Sequence, residues 1–313
     1  VVVIGVLSAT LAGFMALVAD DLKRVLAYST ISQLGYMVYA VGVGGLFASE
    51  FHLLSHAVFK ALLFLSAGAV IHAVGTRDMR QMGGLGKQMP FVRNVFIIGA
   101  LALTGLPMLN GFWSKELVLE AGLEFGRGGN YAWAYAAMLF GVGLTAMYTL
   151  RCAWLVFYGK PRANLHGHDA PLAMRIALIP LAFGTLTTWL LVGPTGKVLA
   201  NSVQPFTGEV GSLHTLLGKV LLNPVTLAAL AAMLLGLAVW RWRDHLSLKK
   251  RLNWLAAAAA NCFGLDWING MVVRATINGA EALRMTQTGV LNWNLVGIIA
   301  GFVIVLSILA LGA

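Results

Sequence analysis

Charged residues are scarce in this chain of 313 amino acids. Only 11% of its residues are charged and 59% are hydrophobic, whereas a soluble domain carries about 25% charged residues. This shortage excludes an ordinary soluble domain. Apolar runs of the length that crosses a bilayer, about 20 residues each, recur along the whole chain. The composition therefore predicts an integral membrane protein in contact with lipid.

Cysteine is almost absent. Cys152 and Cys262 stand alone inside apolar segments, which excludes a disulfide framework and a cysteine ladder for iron–sulfur clusters. The chain also lacks a glycine-rich phosphate loop after a strand and a haem-ligation pattern. We therefore predict no cofactor, no metal and no redox chemistry in this chain itself.

Acidic residues are fewer than basic ones, 12 against 22, which gives a net charge of +10. The basic residues do not form a face with interleaved aromatics, so a nucleic-acid partner is not indicated. They lie in short loops between apolar runs, as on the cytoplasmic side of membrane proteins. Val1 stands directly in an apolar run without a basic leader, and we expect the chain to be part of a longer protein.

The apolar runs predict an all-α, polytopic transmembrane helix bundle. Segment 92–125 is long for one crossing and contains Pro107 and Gly111. We interpret it as a discontinuous helix whose halves meet near 106–111, because proline and glycine free backbone groups at that point; two short helices joined by a tight turn are the alternative. The predicted crossings are 1–19, 23–45, 50–74, 92–125, 131–158, 172–193, 216–242 and 291–312.

Segment 244–290 is too polar to span a membrane and follows a basic cluster. It is predicted to be an amphipathic lateral helix on the membrane surface. Gly264, Gly270 and Gly279 weaken its continuity. The remaining residues, 291–313, are predicted to form a terminal transmembrane anchor.

The strongest chemical signal is a polar stripe in the third predicted span. His52, His56 and Lys60 recur every four residues and so share one helix face. Lys60 lies within about 3 Å of the midplane, where a lysine costs about 2.5–3.5 kcal/mol and usually faces a cavity or a partner. We predict a proton pathway, since histidine donates through one nitrogen and accepts through the other. The alternatives are snorkelling of Lys60, an ion pair between Lys60 and a carboxylate elsewhere, and a metal bound by the histidine pair. No Cys, Asp or Glu nearby completes a zinc site.

A second candidate cluster follows the helix break. Lys115 stands beside freed backbone groups, and Glu116, Glu120 and Glu124 follow it on one face. Lys115 is predicted to be a second proton site, with Glu116 and Glu120 as possible release residues toward the outer surface. A solvated helix end is the alternative for Glu120 and Glu124.

A third candidate lies between the first two spans. Asp20 and Lys23 belong to a charged turn at residues 20–24, which is either a cytoplasmic turn with internal ion pairs or the point of proton uptake. The next span contains Ser29, Ser32 and Gln33, which either support a chain of water molecules or bond to neighbouring helices.

These motifs together resemble a known family. DDLKRVLAYSTISQLGYM (20–37), FHLLSHAVFKALLFLSAGAVI (51–71) and LTGLPMLNGFWSKELVL (103–119) resemble the antiporter-like subunits of respiratory complex I, the NADH-quinone oxidoreductase, and subunit L (mitochondrial subunit 5) in particular. The likeness is dense over 20–160, weakens over 160–250 and returns at DWINGMVV (266–273) and QTGVLNWN (287–294).

The resemblance implies a proton channel built from two inverted helix repeats. Lys60, with His52 and His56, matches the buried axis, and Lys115 matches the lysine on the broken helix. Residues 1–160 would form the second repeat, with the first repeat missing. Two additional transmembrane helices (161–243), the lateral helix (244–290) and the anchor (291–313) would follow. The surface helix within this segment, residues 253–287, reaches about 52 Å at most, which is short for the family.

The implied function is proton translocation as a subunit of the complex. Partner subunits would hold NADH, flavin, iron–sulfur clusters and quinone. The chain would lie in an energy-transducing membrane, such as a bacterial inner membrane. A subunit of a sodium/proton antiporter or of a membrane-bound hydrogenase is the alternative, and a non-conducting scaffold subunit is a third reading.

Overall fold

The computed structural model describes residues 1–127, 131–161, 163, 165, 167–202, 213–220, 223–243, 245, 252–285 and 291–311. These residues are helical and contain no strand, which confirms the predicted all-α polytopic bundle. They form two compact units, Val1–Ala260 and Asn261–Ala313. Five helices in the described part are long and apolar enough to cross a membrane: Leu46–Val74, Ala132–Tyr158, Leu172–Val198, Pro224–Trp242 and Asn292–Leu311.

The first unit is a bundle in which helices pack both on their sequence neighbours and on helices distant in sequence. Short 3₁₀ turns lie at Leu85–Lys87 and Thr188–Leu191, and a π-helical turn at Trp154–Tyr158. The α-helices are α1 (Val2–Val18), α2 (Leu22–Gly42), α3 (Leu46–Val74), α4 (Pro90–Thr104), α5 (Asn110–Gly126), α6 (Ala132–Ala153), α7 (Leu172–Thr187), α8 (Val192–Ser202), α9 (Leu213–Val220), α10 (Pro224–Trp242) and α11 (Asn253–Ala260).

The predicted interruption of segment 92–125 lies between α4 and α5. Gly105 ends α4 with a left-handed backbone (φ 86°), a conformation that glycine adopts without a Cβ penalty. Pro107 then prevents the helix from continuing because it has no backbone N–H, and α5 begins at Asn110. Helices α3, α4 and α5 pack against one another. The break therefore lies beside α3, the helix that carries His52, His56 and Lys60.

One predicted span was wrong. The segment 216–242 is not one helix, because α9 ends at Val220 and α10 begins at Pro224. The Asn223 side chain accepts from the Val225 backbone N–H at 3.1 Å, an N-cap before a proline at the first helical position. The asparagine–proline pair is the signal for this start, and hydropathy alone misses it.

Close packing of α1 on α2 depends on small residues. A Cβ on Gly35 would lie 2.4 Å from the Ala9 backbone nitrogen, so only glycine allows the two backbones to approach at this point. Small residues allow such approaches in lipid, where water does not drive helices together. This contact fixes α2, whose opposite side carries polar residues toward α3.

Ion pairs tie the charged end of the bundle together. Asp21 caps α2 by accepting from the backbone N–H groups of Lys23 and Arg24. Asp20 accepts from Arg80 at 2.8 Å and from Arg151, while Arg151 also donates to the Ala19 carbonyl at 2.5 Å. Arg151 therefore connects α6 with the turn between α1 and α2.

We expect the change Arg151→Met to lower the free energy of unfolding of the full-length protein by about 1–3 kcal/mol, because it leaves Asp20 with one cation fewer in a half-buried place. Denaturant unfolding in detergent measures this. Arg77→Met is the matched control, since Arg77 is 63% exposed in its pair with Asp21 and exposed pairs contribute about 0–1 kcal/mol. Equal losses of unfolding free energy in the two variants would contradict a stabilising role of the pair between Arg151 and Asp20.

In the described part of the second unit, a 3₁₀ turn at Cys262–Gly264 precedes two α-helices, α12 (Leu265–Met285) and α13 (Leu291–Leu311). α12 has Asp266 in its first turn and Arg284 in its last, which complements the helix dipole. The predicted lateral helix, given as 253–287, is interrupted at residues 261–264, where Phe263 has a positive φ of 51°. Residues Asn292–Leu311 of α13 are long and apolar enough to cross a membrane and lie where the terminal anchor was predicted.

Candidate functional site

Lys60 is buried inside the bundle and faces α2. The residue is 5% exposed, and its Nζ donates to the Leu26 carbonyl oxygen at 3.1 Å and to the Ser29 hydroxyl. The ammonium therefore does not turn toward lipid, as the snorkelling alternative would require. The hydroxyl-rich face of α2 provides its partners.

Lys115 is held by the broken helix. Its Nζ donates to the Leu103 carbonyl oxygen at 2.8 Å. In an unbroken helix this carbonyl would accept from the backbone N–H four residues later, but that residue is Pro107, which has none. The amine thus takes the acceptor that the break releases. It also lies 5.7 Å from the centre of the Tyr36 ring.

His52 connects three helices. Its Nδ1 lies 2.9 Å from Ser114 Oγ of α5, and its Nε2 lies 3.1 Å from Gln33 Oε1 of α2. The ring of His56 follows 6.1 Å away. Because both nitrogens of His52 bond to protein groups, neither is left for the metal that the sequence kept as an alternative. We call Lys60, Lys115, His52, His56, Gln33 and Ser114 the buried polar cluster.

Several buried polar atoms near this cluster have no protein hydrogen-bond partner within the described residues. Such atoms are uncommon in folded proteins and are usually satisfied by ordered water. Their concentration between α2, α3, α5 and α6 favours a hydrated interior. They are Gln33 Nε2, Ser55 Oγ, His56 Nε2, Asn110 Oδ1, Trp113 Nε1 and Thr149 Oγ1.

The carboxylates of α5 face α10. Glu116 is buried, and its Oε2 accepts from the Thr226 hydroxyl at 3.2 Å. One turn further, Glu120 Oε1 accepts from Asn223 Nδ2 at 3.5 Å, while Glu124 is exposed. Glu116 thus extends the polar interior from Lys115 toward the start of α10.

Asp20 and Lys23 lie at the charged end of the bundle and have different surroundings. Asp20 is held by two arginines and lines a cleft of about 500 Å³. Lys23 is exposed. The structure therefore gives Asp20 an ion-pair role at this end and leaves Lys23 at the surface.

Three partners were not singled out from the sequence. Arg151 is the only charged residue in the apolar helix α6. Because a charge in a membrane span needs a partner, the sequence alone could have identified Arg151 as an ion-pair residue. Gln33 was noted only as part of a hydroxyl-rich stretch. Thr226 of α10 had no signal, since its contact with Glu116 joins residues 110 positions apart.

Residues 1–147 match the family described as NADH:quinone oxidoreductase/Mrp antiporter, TM. The chain is 34% identical to NADH-quinone oxidoreductase subunit L of Pseudomonas aeruginosa over 99% of its own length and 53% of that relative. It is 48% identical to F(420)H(2) dehydrogenase subunit L of Methanosarcina mazei over 58% of the chain and 30% of that relative. The chain thus spans about half or less of the length of these relatives.

A solved structure has the same fold. The Mrp complex from Dietzia sp. DQ12-45-1b matches 99% of this chain and 33% of its own matching chain, with a TM-score of 0.72 and 24% sequence identity. At this identity the likeness shows the helix arrangement and carries no conclusion about activity.

Proposed function

We propose that the chain is part of a proton-translocating membrane subunit of a respiratory NADH–quinone oxidoreductase. The match of residues 1–147 to the NADH:quinone oxidoreductase/Mrp antiporter transmembrane family supports this proposal. Lys60, His52, His56 and Lys115 would carry the protons. Asp20 and Lys23 would lie on the side of uptake, and Glu116 and Glu120 on the side of release.

The observation that carries this proposal is the way in which the two buried amines are held. Both donate to neutral acceptors, the carbonyls of Leu26 and Leu103 and the hydroxyl of Ser29. Within the described residues, neither amine forms a salt bridge with a carboxylate. A translocation site must gain and lose a proton. Either lysine can do so without breaking an ion pair.

The neighbouring groups suit a proton better than a metal cation. Hydroxyls, an amide and two imidazoles can pass or orient hydrogen bonds, whereas hard cations take several oxygen ligands, among them carboxylates. The described residues contain no group of three or more His, Cys, Asp or Glu side chains that could hold an ion.

The relatives with the higher sequence identities are named as subunits of dehydrogenases and oxidoreductases, which favours this proposal over an antiporter or hydrogenase subunit. Electron transfer from NADH through flavin and iron–sulfur clusters to quinone would then take place in partner subunits. The chain would lie in an energy-transducing membrane, for which we propose a bacterial inner membrane.

The test uses the full-length protein in its assembled complex, reconstituted in proteoliposomes. We expect Lys115→Met to lower the number of protons pumped per NADH oxidised, because the methionine keeps the length of the side chain but carries no proton. Loss of a positioned acid–base group costs about 100-fold in the rate of its step. Dye quenching reports the proton flux and NADH absorbance the electron flux.

Lys87→Met is the matched control, since Lys87 is exposed and should leave the ratio unchanged. A normal ratio in the Lys115→Met complex would overturn the proposal. Uptake of labelled sodium that depends on NADH and on Lys115 would instead assign the chain to a sodium-transporting subunit.

A further inference from the structure

Gln33 is a fully buried amide on α2, and its orientation has a chemical consequence for His52. Its Oε1 lies 3.1 Å from His52 Nε2. An amide oxygen accepts hydrogen bonds and does not donate them. His52 Nε2 must therefore carry a hydrogen in this arrangement.

The state of the other ring nitrogen follows from this contact. A neutral imidazole has one N–H group and one bare nitrogen, so Nδ1 of neutral His52 is bare. Ser114 Oγ lies 2.9 Å from Nδ1 and must then donate its hydrogen to it. The acceptor nitrogen of the ring consequently faces α5, the helix that also carries Lys115.

Ser114 can respond to a proton on His52 without moving its oxygen. Its Oγ also lies 3.0 Å from the Asn110 carbonyl oxygen. When Nδ1 takes up a proton, the ring donates to Ser114 Oγ, and the hydroxyl hydrogen turns toward Asn110. When the proton leaves, the hydroxyl turns back. One proton is gained and lost at Nδ1, and the hydrogen on Nε2 stays in place.

We propose that Gln33 is a positioning residue that restricts proton exchange at His52 to Nδ1, the nitrogen that faces Ser114 and the broken helix. With the amide reversed, its NH₂ group would donate to Nε2, and the only hydrogen of the neutral ring would move to Nδ1. The nitrogen that faces α5 could then accept no proton. This inference rests on the proposed function, since it specifies one step of the translocation.

Tyr148 of α6 is placed to hold the amide. It is fully buried, and its hydroxyl faces the side chains of Gln33 and Ser32 and lies 3.4 Å from Thr145 Oγ1. Tyr148 thus brings a polar group of a second helix to the Gln33 amide.

The test compares Gln33→Met with Gln33→Glu in the full-length protein, in its assembled complex. Methionine keeps the size of the side chain but removes the acceptor, whereas glutamate presents an acceptor oxygen in either orientation. We expect ¹⁵N NMR of labelled histidine, assigned by the loss of signal in His52→Asn, to show Nε2 protonated in the wild type and in Gln33→Glu. In Gln33→Met the hydrogen should distribute between both nitrogens.

Proton pumping gives the second readout. We expect Gln33→Met to lower pumping several-fold and to raise the solvent deuterium isotope effect on it, because exchange at His52 becomes the slow step. Ser114→Ala should behave in the same way. Ser66→Ala is its matched control, since Ser66 is also buried and, among the residues that the structure describes, bonds only to its own helix, at the Leu62 and Leu63 carbonyls.

Three results would overturn the inference: a wild-type His52 with a bare Nε2, normal pumping in Gln33→Met, or reduced pumping in Gln33→Met with an unchanged isotope effect and tautomer. The last result would indicate a purely structural role. Normal pumping in Lys115→Met would contradict the proposed function itself. If pumping falls in Lys115→Met but is normal in Gln33→Met, the proposed function stands and only the role of Gln33 is contradicted.

Discussion

Replacing Lys60 by methionine should reduce proton translocation through the full-length protein about 100-fold, the usual effect of removing a positioned acid–base group. The side chain is buried and bonded to Leu26 and Ser29, so methionine removes the exchangeable proton and keeps most of the packing. Proteoliposomes that contain the assembled complex give the measurement, as protons moved per NADH oxidised.

Lys60→Arg is the informative partner of this variant. Arginine keeps the positive charge but does not deprotonate in proteins. If Lys60 acts by exchanging its proton, the arginine variant should lose pumping to a similar extent, although its charge is intact. If Lys60 is only a fixed charge that attracts or repels, Lys60→Arg should retain normal pumping, and this result would contradict the proton-exchange role. Native gel electrophoresis shows whether both variant complexes assemble, so that a loss of pumping is not mistaken for misfolding.

Gly111→Ala should prevent normal packing of the broken helix. A Cβ at this position would lie 1.9 Å from the Ala102 carbonyl oxygen and 2.7 Å from its carbon, a contact that side-chain movement cannot relieve because both atoms are backbone. Overpacking in a core typically costs about 1–3 kcal/mol, and a clash with backbone should exceed that range. We expect a lower midpoint of thermal unfolding and little assembled complex.

Gly68→Ala is the matched control for this change. Gly68 lies inside α3, and a Cβ there would meet no atom within 4 Å. Alanine is favoured over glycine within a helix by about 1 kcal/mol, so this variant should be as stable as the wild type or more stable. Equal stability of Gly111→Ala and Gly68→Ala would show that α4 and α5 do not cross as closely as described.

Local sequence signals predict the interruptions of the helices. Pro107 and Gly105 predict the break between α4 and α5 because each has a local backbone effect that needs no other part of the chain. Gly264 similarly indicates the interruption at residues 261–264. The start of α10 at Pro224 has a local signal too, but a hydropathy window averages over it, and the predicted span 216–242 therefore merged two helices.

The partners within the site could not be predicted in the same way. The helical period places His52, His56 and Lys60 on one face, but it does not state which helix that face meets. Gln33 and Ser114 come to His52 from positions 19 and 62 residues away, and such contacts depend on the packing of whole helices. The roles of the individual residues in translocation stay predictions, because the geometry gives their contacts and the variants above measure their effects.

The missing backbone hydrogen of Pro107 has a consequence for how this site can change during evolution. Any other residue at that position would bring an N–H group that competes with Lys115 for the Leu103 oxygen. Repairing the helix would therefore release the amine from its anchor. A substitution at Pro107 would therefore affect the position of Lys115, although eight positions separate the two residues in the chain.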